Sequence, residues 1–201
     1  MLFRSTLRVR VAAITPEAEA VKRFRLEPVD GGPLPPFAGG AHVTVLMKDG
    51  ERTIRNAYSL AGSPDDLSAY EIGVARSETS RGGSIFLHEK VAVGDELEIG
   101  HPVNLFPLAQ GARKQLFVAG GIGITPFLPM MEQAARASVP FELHYSIRSR
   151  AAGAFVDDLV ARFPGRVHLH VSDEGTRLDL DRLFAHQPLG THLYVCGPQR
   201  L

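Results

Sequence analysis

Hydrophobic and polar residues alternate at the start of the chain. Leu7, Val9, Val11 and Ala13 are separated by polar or small residues, and Val21-Lys22-Arg23-Phe24-Arg25-Leu26 repeats the period of two. Successive side chains of a strand point to opposite faces, so each run predicts a half-buried antiparallel strand. Glycine and proline interrupt the pattern over 31–37, and Val43, Val45 and Met47 resume it up to an Asp49-Gly50 turn. Residues 52–60 and 70–76 predict two more strands, and residues 95–99 a sixth after the Val93-Gly94-Asp95 turn. Only residues 83–90 read as a helix in this part. Six short strands at this spacing predict a closed antiparallel barrel over residues 1–109.

After Pro107 the period changes. Apolar runs over 115–119, 141–147, 167–172 and 192–196 alternate with helical patterns over 125–136, 154–163 and 178–184. A strand–helix–strand series predicts a parallel sheet, hence an α/β domain over 110–201, with a boundary near Leu108 to Gly111. The fold class expected is therefore a six-stranded antiparallel β-barrel followed by an α/β unit. A parallel sheet needs both faces covered, and a covering helix is expected after the last strand, so the natural chain is expected to continue past Leu201.

Composition narrows the possibilities. Twenty-two basic residues balance twenty-two acidic ones in 201 residues, which gives no global field for nucleic acid or a membrane surface. The single cysteine allows no internal disulfide and no iron–sulfur cluster with four thiolates inside this chain. No apolar segment approaches the ~20 residues that span a bilayer, and the first residues lack the apolar core of a signal peptide. A cytoplasmic protein is expected.

Candidate chemistry gathers at two glycine-bearing turns. Ala119-Gly120-Gly121-Ile122-Gly123-Ile124-Thr125-Pro126 follows a strand and opens a helix. Gly120, Gly121 and Gly123 permit a tight turn with bare N–H groups, Thr125 is placed to cap, and Pro126 suits a first helical turn. A phosphate at the helix N-terminus and a purely structural turn both fit, because the spacing is not Gly-x-Gly-x-x-Gly. Cys196-Gly197-Pro198 ends the last strand, at the sheet edge where ligands of open parallel sheets bind.

Five motifs in order resemble the ferredoxin–NADP reductase superfamily and, within it, the phthalate dioxygenase reductase family that includes the vanillate demethylase reductases. They are Arg55-Asn56-Ala57-Tyr58-Ser59-Leu60, Arg81-Gly82-Gly83-Ser84, Pro102-Val103-Asn104-Leu105-Phe106-Pro107-Leu108, the glycine turn to Pro126, and Cys196-Gly197-Pro198. The resemblance implies a flavin held by Tyr58 and Ser59, with Asn56 where the family has arginine and Arg55 one place earlier. It implies FMN rather than FAD, its phosphate held by Arg81, Gly82, Gly83 and Ser84. It further implies NADH or NADPH over Gly120, Gly121, Gly123, Thr125 and Pro126, with Cys196, Gly197 and Pro198 beside the nicotinamide. Cys196 and Ser59 are the expected catalytic positions, and the coenzyme preference turns on Arg148, with Ser149 and Arg150 beside it. The acceptor implied is a 2Fe-2S centre, in a further C-terminal domain or a separate ferredoxin, that serves a Rieske-type oxygenase.

Other features read as structure. His168 and His170 share one strand face, yet no carboxylate or cysteine stands at ligand spacing near them in the sequence, so no metal is expected. Met130 and Met131 lie on a helix's apolar side. Ser59, Ser84 and Ser146 show no Gly-x-Ser-x-Gly elbow, which argues against a hydrolase. Two rival functions remain at this stage, a flavin reductase that releases its product and a non-enzymatic domain that senses nucleotide.

Overall fold

A computed structural model of the chain describes residues 6–77, 79–80 and 82–198. Its first sheet follows the period of two. Strands β1 (Leu7–Ala18), β2 (Val21–Pro28), β3 (Ala41–Asp49), β4 (Arg52–Ser59), β5 (Tyr70–Ala75) and β6 (Glu96–Ile99) pair antiparallel in the order β4-β3-β6-β1-β2-β5. An antiparallel bridge between Leu60 and Ile72 joins the two ends of that order and closes the barrel. Inside it Val9, Val11, Phe24, Val43, Val45, Met47 and Ile72 form one buried core, as the alternation requires. The outer face is polar, with ion pairs such as Arg8–Glu96 and Lys90–Asp49.

Two details depart from the expected strands. β1 runs past Ala13 to Ala18, and shifts of register between Val11 and Ala13 and between Pro16 and Ala18 let it absorb a proline inside the ladder. A two-residue strand, β7 (Val103–Asn104), pairs with β3 inside the stretch that follows the sixth strand. Helix α1 (Gly83–Glu89) lies where expected. Lys22 Nζ donates to the His88 carbonyl at 2.9 Å, and the His88 ring meets the Val74 carbonyl at 2.8 Å, which ties the helix's last turn to β2 and β5.

The second sheet is parallel. β8 (Lys114–Gly120), β9 (Phe141–Ile147), β10 (Val167–Val171) and β11 (Thr191–Cys196) lie in the order β10-β9-β8-β11, so β11 is an edge strand beside the central β8, with Ala119 opposite Cys196. Residues 115–120 of β8 are all buried, which explains why that run reads as unbroken hydrophobicity. α2 (Phe127–Arg136) and α3 (Val156–Arg162) pack on one face of the sheet, over Phe117, Leu143 and Tyr145. α4 (Leu180–Ala185) follows β10. α3 starts two residues later than the sequence pattern suggests, because Phe155 takes a left-handed conformation at φ 62° to turn the chain into it.

The two cores meet along a seam. Phe106 stacks edge-on against Tyr194, and the Tyr194 hydroxyl accepts from the Ala109 amide at 2.6 Å, which pins the connection between the sheets. Gly39 N–H donates to Gln133 at 2.9 Å, Ser63 to Glu132 at 2.8 Å, and the Arg23 guanidinium lies 5.3 Å from the Phe155 ring centre. Among the described residues no helix is long and apolar enough to cross a membrane.

Candidate functional site

The seam opens into a cavity of about 650 Å³ lined from both sides. From the barrel come Ala57, Tyr58 and Ser59 of β4 with Gly73 and Ala75 of β5; from the parallel sheet come residues 120–123, Thr125 and residues 196–198. These two groups are far apart in sequence. They meet where the end of β4 and its neighbour β5, joined by the Leu60–Ile72 bridge and by the Ala61 amide to the Glu71 carbonyl at 2.8 Å, stand beside the C-terminal ends of β8 and β11.

On the barrel side the ladder between β3 and β4 runs without a bulge from His42–Ser59 to Asp49–Arg52. Strand alternation therefore sends Asn56 and Tyr58 to one face and Arg55, Ala57 and Ser59 to the other. Asn56 Nδ2 lies 3.5 Å from the Tyr58 hydroxyl. Burial raises the Tyr58 pKa and the Asn56 contact offsets part of that, so the phenol stays protonated and able to donate. Arg55 is exposed, and neither it nor Asn56 lines the cavity.

Next to this strand, Gly82 holds a left-handed conformation at φ 108°, and a Cβ on Gly83 would stand 2.3 Å from Asn56 Nδ2. Two adjacent glycines thus let the start of α1 sit against β4. Ser84 is buried, and its hydroxyl accepts the Ser77 amide at 3.3 Å. Arg81, assigned from the sequence to a phosphate, lies outside the described residues.

On the other side, main chain forms the wall. Residues 121–124 make a 3-10 turn that runs on through Thr125 and Pro126 into α2. Thr125 does not cap that helix: its hydroxyl donates to the Ile122 carbonyl at 3.0 Å, closing the turn from within, and Pro126 stands at the cap position without a side-chain bond. The first N–H groups of such a turn have no intrahelical acceptors, and residues 120–123 line the cavity. Gly121 sits at φ 51° with nothing within 4 Å of where its Cβ would be, whereas a Cβ on Gly123 would stand 2.1 Å from the Cys196 carbonyl oxygen. The turn therefore nests against Cys196-Gly197-Pro198 with no room between them. The Cys196 thiol is half-buried and burial pushes its pKa up, so it is neutral near pH 7 and lacks the thiolate a nucleophile needs.

Of the sequence-predicted residues, Tyr58, Ser59, Gly120, Gly121, Gly123, Thr125, Cys196, Gly197 and Pro198 line one cavity. Gly82, Gly83, Ser84 and Pro126 are not among the residues that line it. Arg148 is exposed beyond β9, where its carbonyl accepts the Asp173 amide at 3.0 Å. Its neighbours are committed elsewhere: Ser149 caps a 3-10 turn through the Ala152 amide, and Arg150 grips Glu174 with two bonds of 2.6 and 2.9 Å. Sequence reasoning missed Gly73 and Ala75, which line the cavity from β5 with little or no side chain. A glycine inside an otherwise apolar strand was the available signal.

No family model matches the chain. It is 53% identical over 194 residues to the carnitine monooxygenase reductase subunit of Escherichia coli strain K12, covering 96% of this chain and 60% of that protein. The vanillate O-demethylase oxidoreductase of Pseudomonas putida is 46% identical over 184 residues, covering 90% of this chain and 57% of that protein. Among solved structures, phthalate dioxygenase reductase, described as modular and as transferring electrons from pyridine nucleotides to [2Fe-2S], superposes with a TM-score of 0.90 at 35% identity, over 97% of this chain and 61% of that one. The chain spans about three fifths of the length of these relatives. Over the part that it matches, with an antiparallel barrel, a parallel sheet and a cavity at their seam, the chain has the ferredoxin reductase-like fold and is similar to the reductases of oxygenase systems.

Proposed function

We propose that this chain is the flavin- and pyridine-nucleotide-binding part of the reductase component of a Rieske-type oxygenase system, with residues 1–109 as the flavin domain and 110–201 as the nucleotide domain. The observation that carries the reading is the single cavity in which a tyrosine–serine strand end faces a bare glycine turn and the Cys196 backbone. Its volume suits a ring system with one end open to solvent.

The residues fit a flavin. Tyr58 offers a half-buried aromatic face and Ser59 a hydroxyl beside it. The first turn of α1 has N–H groups without intrahelical acceptors and no side-chain cap, although Gly82 N–H itself meets Ser80 Oγ at 3.1 Å; a terminal phosphate is the expected group there, and on that ground we assign FMN. Bound there, the flavin supplies hydride acceptance and the release of single electrons to a 2Fe-2S acceptor, either in a further domain or in a separate ferredoxin.

The protein's own part is to position and to exclude. Gly121, with open space at its Cβ, lets a pyrophosphate approach the N–H groups of the turn, and Gly123 locks that turn against the strand carrying Cys196. Cys196, kept neutral and lining the same cavity, would stand beside a bound nicotinamide and help position it without acid or base chemistry. Ser59, across the cavity, orients the acceptor ring. We assign NADH as the preferred donor, because Arg150 is already neutralised by Glu174, whose charge opposes a 2′-phosphate and leaves Arg148 alone to attract one.

Anaerobic addition of NADH to the flavin-loaded protein is expected to bleach its visible absorbance within the dead time of hand mixing. A sample that stays yellow under those conditions overturns the reading.

A further inference from the structure

The parallel sheet carries a second group of chemically active side chains that shares no residue with the cavity. β9 and β10 pair in parallel register with His144 opposite His168 and Ser146 opposite His170. Alternation sends Phe141, Leu143, Tyr145 and Ile147 into the core, and therefore sends Glu142 and His144 to the other face, together with His168 and His170. A carboxylate and three imidazoles rise from one patch of sheet. One nitrogen each of His144 and His168 and one carboxylate oxygen of Glu142 lie within 4.8 Å of one another, at the wall of a cavity of about 400 Å³ that residues of α4 also line.

We propose that Glu142, His144 and His168 form a binding site for a divalent transition-metal ion, with zinc as the best-suited ion. Two imidazoles and one carboxylate are a donor set that zinc takes in open sites, with a fourth position left to water. The carboxylate is held ready. Lys114 Nζ at 2.9 Å, Gln187 Nε2 at 3.0 Å and His144 Nε2 at 3.7 Å all meet its Oε1, which leaves Oε2 to face a cation. His144 is held as well. Its Nδ1 lies 3.0 Å from His170 Nε2, and when Nδ1 carries the proton and donates it there, the lone pair of Nε2 is left on the Glu142 side.

His168 is the adjustable ligand. Its ring stacks on His144 at 4.7 Å between centres, with 21° between planes, and it is exposed. Closing from that arrangement to the roughly 3.4 Å that separates ligands about 2.1 Å from a tetrahedral ion asks for a turn of this one free side chain. Arg177 and Arg182 line the same cavity and Lys114 pairs with Glu142, so three cations oppose the ion and only Asp179 and Glu142 offset them. The three ligands must therefore hold the metal against a net positive surround.

The test uses the purified protein after treatment with chelator. Zn²⁺ titrated by calorimetry is expected to bind at one ion per chain, and Co²⁺ is expected to give a visible d–d band that Zn²⁺ abolishes. His168→Gln and Glu142→Gln are each expected to weaken binding at least tenfold, and Cys196→Ala to leave it intact. His168 is exposed, so His168→Gln is read with far-UV circular dichroism to show the unchanged fold. Absence of saturable binding, binding undiminished in His168→Gln, or loss in Cys196→Ala alone each overturns the proposal.

Discussion

Where β4 borders the cavity the lining is made of side chains: the ring of Tyr58, the hydroxyl of Ser59, and Asn56 at 3.5 Å from the tyrosine oxygen. On the parallel-sheet side it is made largely of main chain, from residues 120–123 and from the backbone of Cys196 and Gly197. The two halves therefore fail in opposite ways. Removing atoms harms the first, and adding atoms harms the second.

The largest effect is expected from adding one carbon at Gly123. Its Cβ would stand 2.1 Å from the Cys196 carbonyl oxygen, and backbone on both sides has nowhere to go. Gly123→Ala is expected to cost about 3 kcal/mol or more in denaturant unfolding. Gly121→Ala, at φ 51° but with open space around it, is expected to cost only about 1 kcal/mol from backbone strain. Equal costs for the two would break the contrast between a locked and an open glycine.

On the other wall the expected direction reverses. Tyr58→Ala is expected to weaken flavin binding about thirtyfold, or about 2 kcal/mol, whereas Tyr58→Phe loses only the long contact to Asn56 and is expected to change it less than threefold. Flavin titrations followed by fluorescence quenching measure both. Cys196→Ala is expected to slow NADH-driven flavin reduction about tenfold in stopped flow while flavin content is spared. Unchanged kinetics would remove the thiol from the site. The smallest effect concerns the coenzyme. Glu174→Ala frees Arg150 and is expected to raise the catalytic efficiency with NADPH relative to NADH about fivefold. An unchanged ratio would separate Arg150 from the coenzyme.

The barrel was readable in the sequence because one face of each strand is dry and the other wet, so Val43, Val45 and Met47 announce their register without help from distant residues. β7 was not, since two residues carry no period; nor was the extension of β1, where Pro16 reads as an end and two register shifts allow continuation. The glycine turn was located correctly, but the role given to Thr125 was not. A hydroxyl that accepts from a helix N–H and one that donates to the carbonyl three residues earlier look the same in sequence, and the 3-10 geometry of residues 121–124 decides for the second. The histidine group shows a different limit. His168 and His170 lack a carboxylate within ligand spacing along the chain, yet the sheet sets His144 opposite His168 and brings Glu142 within reach of both. Partners across a parallel sheet are invisible to spacing rules.

Gly73 on the cavity floor carries one more consequence. A Cβ there would come within 2.7 Å of the Thr125 methyl, so the glycine turn already rests on β5. This contact is a mechanical stop. The floor of the gap between the barrel side and the parallel-sheet side is thus set by packing within the chain itself, and any side chain larger than hydrogen at position 73 would push the glycine turn away from β5.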